Sequence, residues 1–292
     1  MFTLAQLSDL HLASLPVPHV GALLSKRGLG LINWYRSRRK HHRPDVLAAV
    51  VRDLKGRTTD HIAVTGDLVN LSLPAEYARA RGWLETLGAS GDVTVIPGNH
   101  DIYVRGTEAA PAAAWGDFMR GDDGGGGFPF LRRRGKVALI ALSTALPTAP
   151  LLATGRLGET QLARFAELLD QTRGAFRIVL IHHPPVTSMR HYLRRLTDAA
   201  ALLAVLEAKG CELLLHGHEH TSSLIWLDGA DHRIPAVGVA SASTPAPHGD
   251  EDAGGYNLYH VDGGPGAWRC EMILRRREAD GGIRERERRT LY

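Results

Sequence analysis

Residues 93–101 read VTVIPGNHD: a β-branched run, a Pro-Gly break, then an amide, an imidazole and a carboxylate in succession. Val, Thr and Ile favour extended backbone and Pro97-Gly98 interrupts it, so the stretch predicts a short buried strand. Groups able to ligate a metal leave its carboxyl end. Four other apolar runs finish the same way. LAQLSDLH (4–11) ends in Asp9 and His11, IAVTGD (62–67) in Asp67, IVLIHH (178–183) in His182 and His183, and LLLHGHEH (213–220) in His216, His218 and His220. A sixth run, KVALIALSTA (136–145), ends instead in Ser143 and Thr144, so polar ends of this kind do not follow from the choice of runs. In α/β sheets the ligand crevice lies beyond the carboxyl ends of the strands. Five such endings are therefore expected to converge in space.

A hydrogen-bonded structural role accounts for any one of these histidines. It does not account for the set, because buried imidazoles and carboxylates gathered without a metal would leave charges and donors unpaired, at a cost of several kcal/mol. Mixed nitrogen and oxygen donors suit Mn, Fe, Zn, Co or Ni better than Ca, and the lack of thiolates argues against a closed structural zinc site. Cys211 and Cys270 are too far apart for a paired motif and read as core thiols.

Amphipathic helices are expected between the runs, at 44–55, 74–87, 159–172 and 198–209. Further strands are expected from IPAVGVAS (234–241), GYNLYHV (255–261) and WRCEMILR (268–275). This alternation predicts the α/β class. At 292 residues and 44% hydrophobic content the chain reads as one domain, 1–292. The Ala/Gly-rich stretch 105–127 reads as a flexible surface excursion, and the mixed-charge tail 275–292 as a solvated edge or face. No apolar stretch approaches the ~20 residues of a membrane span. With no leader before the first strand, the expected location is cytoplasmic. Walker, G-x-S-x-G and G-x-G-x-x-G patterns do not occur, so nucleotide-fuelled, serine-hydrolase and dinucleotide-dependent readings have no motif to rest on.

The net charge of +4 is unevenly placed. Between Asp9 and Asp45 there is no acidic residue, while Lys26, Arg27, Arg36, Arg38, Arg39, Lys40 and Arg43 are all basic. This insert, about 13–43, mixes its charges with Leu23, Leu24, Leu29, Leu31, Ile32, Trp34 and Tyr35. Residues 20–43 could lie on the anionic inner face of a membrane, cap a substrate carrying both charge and grease, or dock as a hairpin with a solvated basic face.

In order, Asp9-x-His11, Gly66-Asp67, Gly98-Asn99-His100-Asp101, His182-x-Pro184 and Gly217-His218-x-His220 resemble the five sequence blocks of the calcineurin-like metallophosphoesterases. That resemblance implies a four-layer sandwich of two mixed β-sheets flanked by helices. It also implies two divalent ions, with Mn, Fe, Zn or Co admissible and manganese, or iron with manganese, favoured. One ion would be held by Asp9, His11, Asp67 and His220, the other by Asp67, Asn99, His182 and His218, with Asp67 bridging. His183 would support the ligand His182. His100, oriented by Asp101, would be the catalytic acid or transition-state donor. Glu219 adds a carboxylate that either alters metal preference or points to solvent.

Two ions outweigh the carboxylates Asp9 and Asp67, so such a site attracts phosphate. Ions roughly 3.5–4 Å apart can lower the pKa of a bridging hydroxide and direct it at phosphorus, with no protein nucleophile needed. Fold and ligands do not choose among esters. The short Asp-x-His start, GNHD and HHPP resemble most the branch that cleaves cyclic nucleotides and glycerophosphodiesters, so a phosphodiesterase is expected. The insert suits an alternative, pyrophosphohydrolysis of a lipid-linked nucleotide such as UDP-diacylglucosamine. His100 does not, since that branch commonly carries arginine there. A nuclease or a non-catalytic scaffold is the alternative of another class. Against the scaffold stands the complete set of seven ligand positions, and the patch lacks the separate phosphate-tracking elements that nucleic acid would need.

Overall fold

A computed structural model describes residues 1–12 and 15–292. Every run read as a strand enters one of two six-stranded mixed sheets. In the first, β1 (Phe2–Leu7), β2 (His61–Val64) and β3 (Val93–Val95) run parallel. Antiparallel β10 (Gly255–Asp262), β11 (Arg269–Arg277) and β12 (Ile283–Thr290) extend the β1 side. In the second, β5 (Val137–Ala141), β6 (Phe176–Leu180), β7 (Leu213–His216) and β9 (Ile234–Gly238) run parallel. Antiparallel β4 (Phe130–Arg134) and β8 (Ser223–Leu227) form its edges.

The parallel strands of the second sheet are buried at every position, and apolar except for Arg177, which pairs with Glu212, and His216, because both faces are covered. Val137, Leu139 and Ala141 of β5 join the core shared with the first sheet. Ile140 and its successor Leu142 join a second core, with Leu162, Phe165, Leu202 and Leu206. Those four belong to helices α6 (Glu159–Gln171) and α7 (Ala199–Lys209). Helices α3 (Pro44–Lys55) and α4 (Pro74–Leu87) bring Leu47, Val50, Leu54, Ala80 and Leu84 to the first core. The result is the α/β/β/α sandwich that the five-block resemblance implied.

Residues 105–127 are not the surface excursion expected. The short helix α5 (Ala110–Trp115) and the turn Gly116–Phe118 put Trp115 and Phe118 wholly in the core, and only 122–127 are exposed throughout. Ala/Gly composition concealed two aromatic anchors. Strand β4 escaped notice because its sequence is FLRRR. Arg132 is nevertheless buried, with its guanidinium donating to the carbonyls of Arg120, Ser90, Val93 and Asp117.

The insert folds against the domain, residues 13 and 14 lying outside the described residues. Its helix α1 (Lys26–Asn33) continues through a π-helical turn, Trp34–Arg38, into the last turn α2 (Arg39–His41). Arg27 donates to the carbonyls of Leu71 (2.8 Å) and Ser72 (2.6 Å), while the Lys26 ammonium lies 4.4 Å from the Tyr103 ring centroid. Gly30 lets the helix press inward: a Cβ there would fall 2.5 Å from Leu71 Cδ2 and 2.8 Å from Tyr103 Oη. Among the described residues no helix is long and apolar enough to cross a membrane.

Candidate metal centre

The loops that follow β1 and β2 stay side by side beyond the sheet, with Asp9 N donating to Gly66 O and His11 N to Asp67 O. Five of the residues expected as ligands then take left-handed backbone: Asp9 (φ 52°), His11 (42°), Asp67 (56°), His218 (73°) and His220 (57°). Such φ values are uncommon and strained for residues with a Cβ, and they cluster where function holds them. Gly98 answers a different need. A Cβ there would sit 2.2 Å from Asp67 Oδ1, so glycine alone lets the loop after β3 close on that carboxylate.

The turns gather the side chains into two buried groups, Asp9 with His11 and His220, and Asp67 with His182 and His218. Within each, the candidate ligand atoms lie within 4.8 Å of one another. Asp67 Oδ2 stands between the groups, 3.7 Å from His11 Nε2 and 3.5 Å from His182 Nε2. Asn99 Oδ1 is 3.3 Å from His182 Nε2, and His220 Nε2 is 3.2 Å from Asp9 Oδ1. All seven residues expected as ligands thus meet in one crevice.

Each histidine spends one ring nitrogen outward and turns the other in. His11 Nδ1 faces Val69 O, His182 Nδ1 faces Thr65 O, His218 Nε2 faces Arg194 O and His220 Nδ1 faces Glu251. That arrangement fixes tautomer and ring orientation for metal ligation. His11 Nε2 is buried with no hydrogen-bond partner and Asp9 Oδ1 faces only the candidate ligand His220 Nε2, as donors awaiting a cation would. The residues therefore fit a pair of divalent ions.

Charge tells the same story. Burial opposes a proton on His182, but Asp67 outweighs it and holds the imidazole up to about 9. At His220 burial is likewise overcome, by Asp9 and Glu251, to about 10. Burial, reinforced by neighbouring histidines, drives His11 and His218 well below the usual histidine range. Metal loading must therefore displace protons from His182 and His220. Apparent affinity should climb with pH up to about 9, by as much as about two decades per unit where both protons leave. Calorimetric titration with Mn²⁺ at pH 7 in buffers of different ionisation enthalpy reads that release directly, and buffer-independent heats would contradict it.

Asp101 does not orient His100. Its carboxylate, fully buried, accepts from the amides of Gly98 (2.8 Å), Asp67 (2.9 Å), Leu68 (2.9 Å) and Val69 (3.0 Å), tying two ligand loops together. The His100 ring is held by Asn70 O, 2.6 Å from Nδ1. His183 has both nitrogens engaged, by Thr144 Oγ1 and Ala153 O, and backs His182 and His218. Thr144 closes the sixth apolar run, whose end thus serves the crevice indirectly. His216 lies outside both groups, with Nδ1 facing Gly217 O, and Glu219 pairs with His191, not with a ligand.

Three contributors were not singled out in the sequence. Arg38 Nη1 lies 3.2 Å from His100 Nδ1, His42 packs its ring 4.3 Å from that of His11, and Glu251 backs His220. Arg38 and His42 sit in the insert whose composition drew notice; Glu251 gave no local signal. With Lys26, Leu29 and Trp34, Arg38 forms one wall of a cleft of about 490 Å³ whose floor includes Asp67, Asn99, His100 and His218.

A model of the family described as calcineurin-like phosphoesterase matches residues 2–222. The chain belongs to that family. A cAMP/cGMP dual specificity phosphodiesterase of Mycobacterium tuberculosis is 30% identical over 223 residues, 70% of this chain and 64% of that protein. The matched part thus spans under two thirds of that relative's length. Among solved structures, purple acid phosphatase PPD1 from yellow lupin (Lupinus luteus) seeds aligns with a TM-score of 0.65 over 99% of this chain and 53% of its own, at 13% identity. That likeness is one of fold. In this calcineurin-like phosphoesterase the five blocks supply both candidate metal groups, and the insert supplies the facing wall.

Proposed function

We propose that the protein is a metal-dependent phosphodiesterase. The observation that carries the reading is the shared crevice, in which Asp67 stands between two ligand groups and the cation Arg38 faces them across the cleft. Asp9, His11, Asp67 and His220 would hold one ion and Asp67, Asn99, His182 and His218 the other, with manganese, or iron with manganese, the pair that the family resemblance favours. When bound, the ions supply Lewis-acid polarisation of the phosphoryl group. Arg38 offers charged donors to a phosphoryl oxygen. Asn70 O accepts a hydrogen bond from His100 Nδ1–H and leaves Nε2 for the substrate.

Burial, aided by Arg38, holds the His100 imidazole down to about 3. The free protein thus holds it neutral, and the acid or transition-state-donor role that the resemblance implied requires the bound phosphate anion to raise it. His100→Asn should lower kcat/KM for bis(p-nitrophenyl) phosphate by roughly 10². A loss below threefold would remove His100 from the reaction.

Hydrolysis of bis(p-nitrophenyl) phosphate, p-nitrophenyl phosphate and cyclic AMP in added Mn²⁺ tests the function. Diester turnover above monoester turnover, abolished by chelator, is expected; rapid monoester turnover alone would defeat the proposal. The relative's name makes cyclic nucleotides the first diesters to try. Of the seven basic residues of the insert, Lys26, Arg27 and Arg38 are committed to the domain or the cleft while Arg36, Arg39, Lys40 and Arg43 are exposed, so salt-dependent binding to DNA tests the nuclease alternative.

A further inference from the structure

Exposed apolar side chains are unevenly distributed. Among the described residues, every large one except Met1 and Trp226 falls within 17–35, at 151 or within 186–193, with Leu24, Leu151 and Met189 at least 84% exposed. These stretches are far apart in sequence and adjoin in space. Lys26 Nζ donates to Thr148 Oγ1 (2.7 Å) and Leu152 O (2.8 Å), and Ala153 N donates to Leu193 O (3.0 Å). Leu29 and Leu151, from the first two stretches, and Arg194, which directly follows the third, line the cleft above the ligand groups. The apolar residues therefore form a collar continuous with the mouth of that cleft.

The collar stretches carry no carboxylate of their own, although Glu219 pairs with His191 beside one of them and Glu251 lines the cleft. No Asp or Glu occurs in 10–44, 143–158 or 184–197, whereas Lys26, Arg38 and Arg194 project into the cleft. Scattered exposed leucines need no explanation, but apolar residues concentrated on one rim mark an interaction site. Cations within and grease around complement an anionic head joined to an apolar tail. A small, wholly polar diester would leave the collar without a use.

We infer that the substrate is an amphiphile, a phosphodiester whose long alkyl or acyl tail lies on the collar while its phosphate reaches Asp67. The inference rests on the phosphodiesterase reading and adds the chemistry of the second substituent. The occupant is the substrate's own tail, because the collar opens directly into the cleft and its charge suits the ester anion.

The test compares p-nitrophenyl ethyl phosphate with p-nitrophenyl dodecyl phosphate on Mn²⁺-loaded full chain, both below the micelle-forming concentration. Leaving group and scissile bond are the same; only the tail differs. The dodecyl ester should show a KM at least about tenfold lower at similar kcat, since even partial burial of its extra methylenes exceeds that factor. The exposed-rim variant L24S/I32S/L193S should abolish that advantage and leave ethyl-ester kinetics unchanged. Equal KM values on active enzyme would overturn the tail seat and spare the phosphodiesterase reading. A preference that appears only above the micelle-forming concentration would also overturn it, in favour of docking to a lipid surface. If neither ester turns over, calorimetric binding of dodecyl phosphate against ethyl phosphate still decides the collar: equal Kd values reject it.

Discussion

Replacing Asp67 by asparagine is expected to lower kcat/KM for a phosphodiester by at least roughly 10³, the several kcal/mol that a metal centre contributes to transition-state stabilisation. Bound metal should fall from two equivalents towards one or none. The reason lies in its position. Oδ2 is within 4 Å of both His11 Nε2 and His182 Nε2, and Oδ1 accepts the His100 amide at 2.7 Å, so one carboxylate serves both groups and the loop that carries His100. Asparagine keeps the shape and loses the charge. It leaves the imidazole of His182 without the carboxylate that offsets burial, and two cations without their common counter-charge. Metal analysis by mass spectrometry beside steady-state kinetics would decide it. A variant holding two ions and turning over at the wild-type rate would remove Asp67 from the centre.

Asp101→Ala should be the most destabilising substitution near the site, by about 4–5 kcal/mol, although the side chain touches neither a ligand atom nor the cleft. Its two oxygens accept four buried amides, and leaving a buried donor unpaired costs about 1–3 kcal/mol each, less what water entering the vacated space restores. Two of the donors belong to Gly98 and Asp67, where glycine was needed for close approach and the backbone is left-handed. Losing the carboxylate should therefore let both loops relax, and metal content should fall with stability. Asp101→Asn keeps one acceptor oxygen and should recover part of each. Urea unfolding of the three proteins, each stripped of metal, measures the effect. A change under about 1 kcal/mol for Asp101→Ala would show that the amides are satisfied without it.

The candidate ligands were legible because metal chemistry is carried by residue type and a strand end is a local feature. VTVIPGNHD, IAVTGD and LLLHGHEH each announce a buried strand and its polar exit within ten residues. Strands such as KVALIALS were equally plain, since continuous apolar sequence records burial on both faces. Edge strand β4 was not, because Arg132 satisfies its charge on four carbonyls that come from other parts of the chain. Trp115 and Phe118 were missed for a related reason: two aromatic anchors in an Ala/Gly-rich background produce no period.

Sequence by itself determined the α/β class, the seven ligand candidates and the presence of an unusual basic and apolar insert, because periodicity, residue chemistry and composition are properties of short stretches. Tertiary structure alone decided that Asp101 holds amides and not His100, that Glu251 backs His220, and that the insert walls the cleft with Arg38 at its centre. Those are contacts through space between groups as far as 31 residues apart or more, set by how loops turn beyond a sheet, and no local pattern records them.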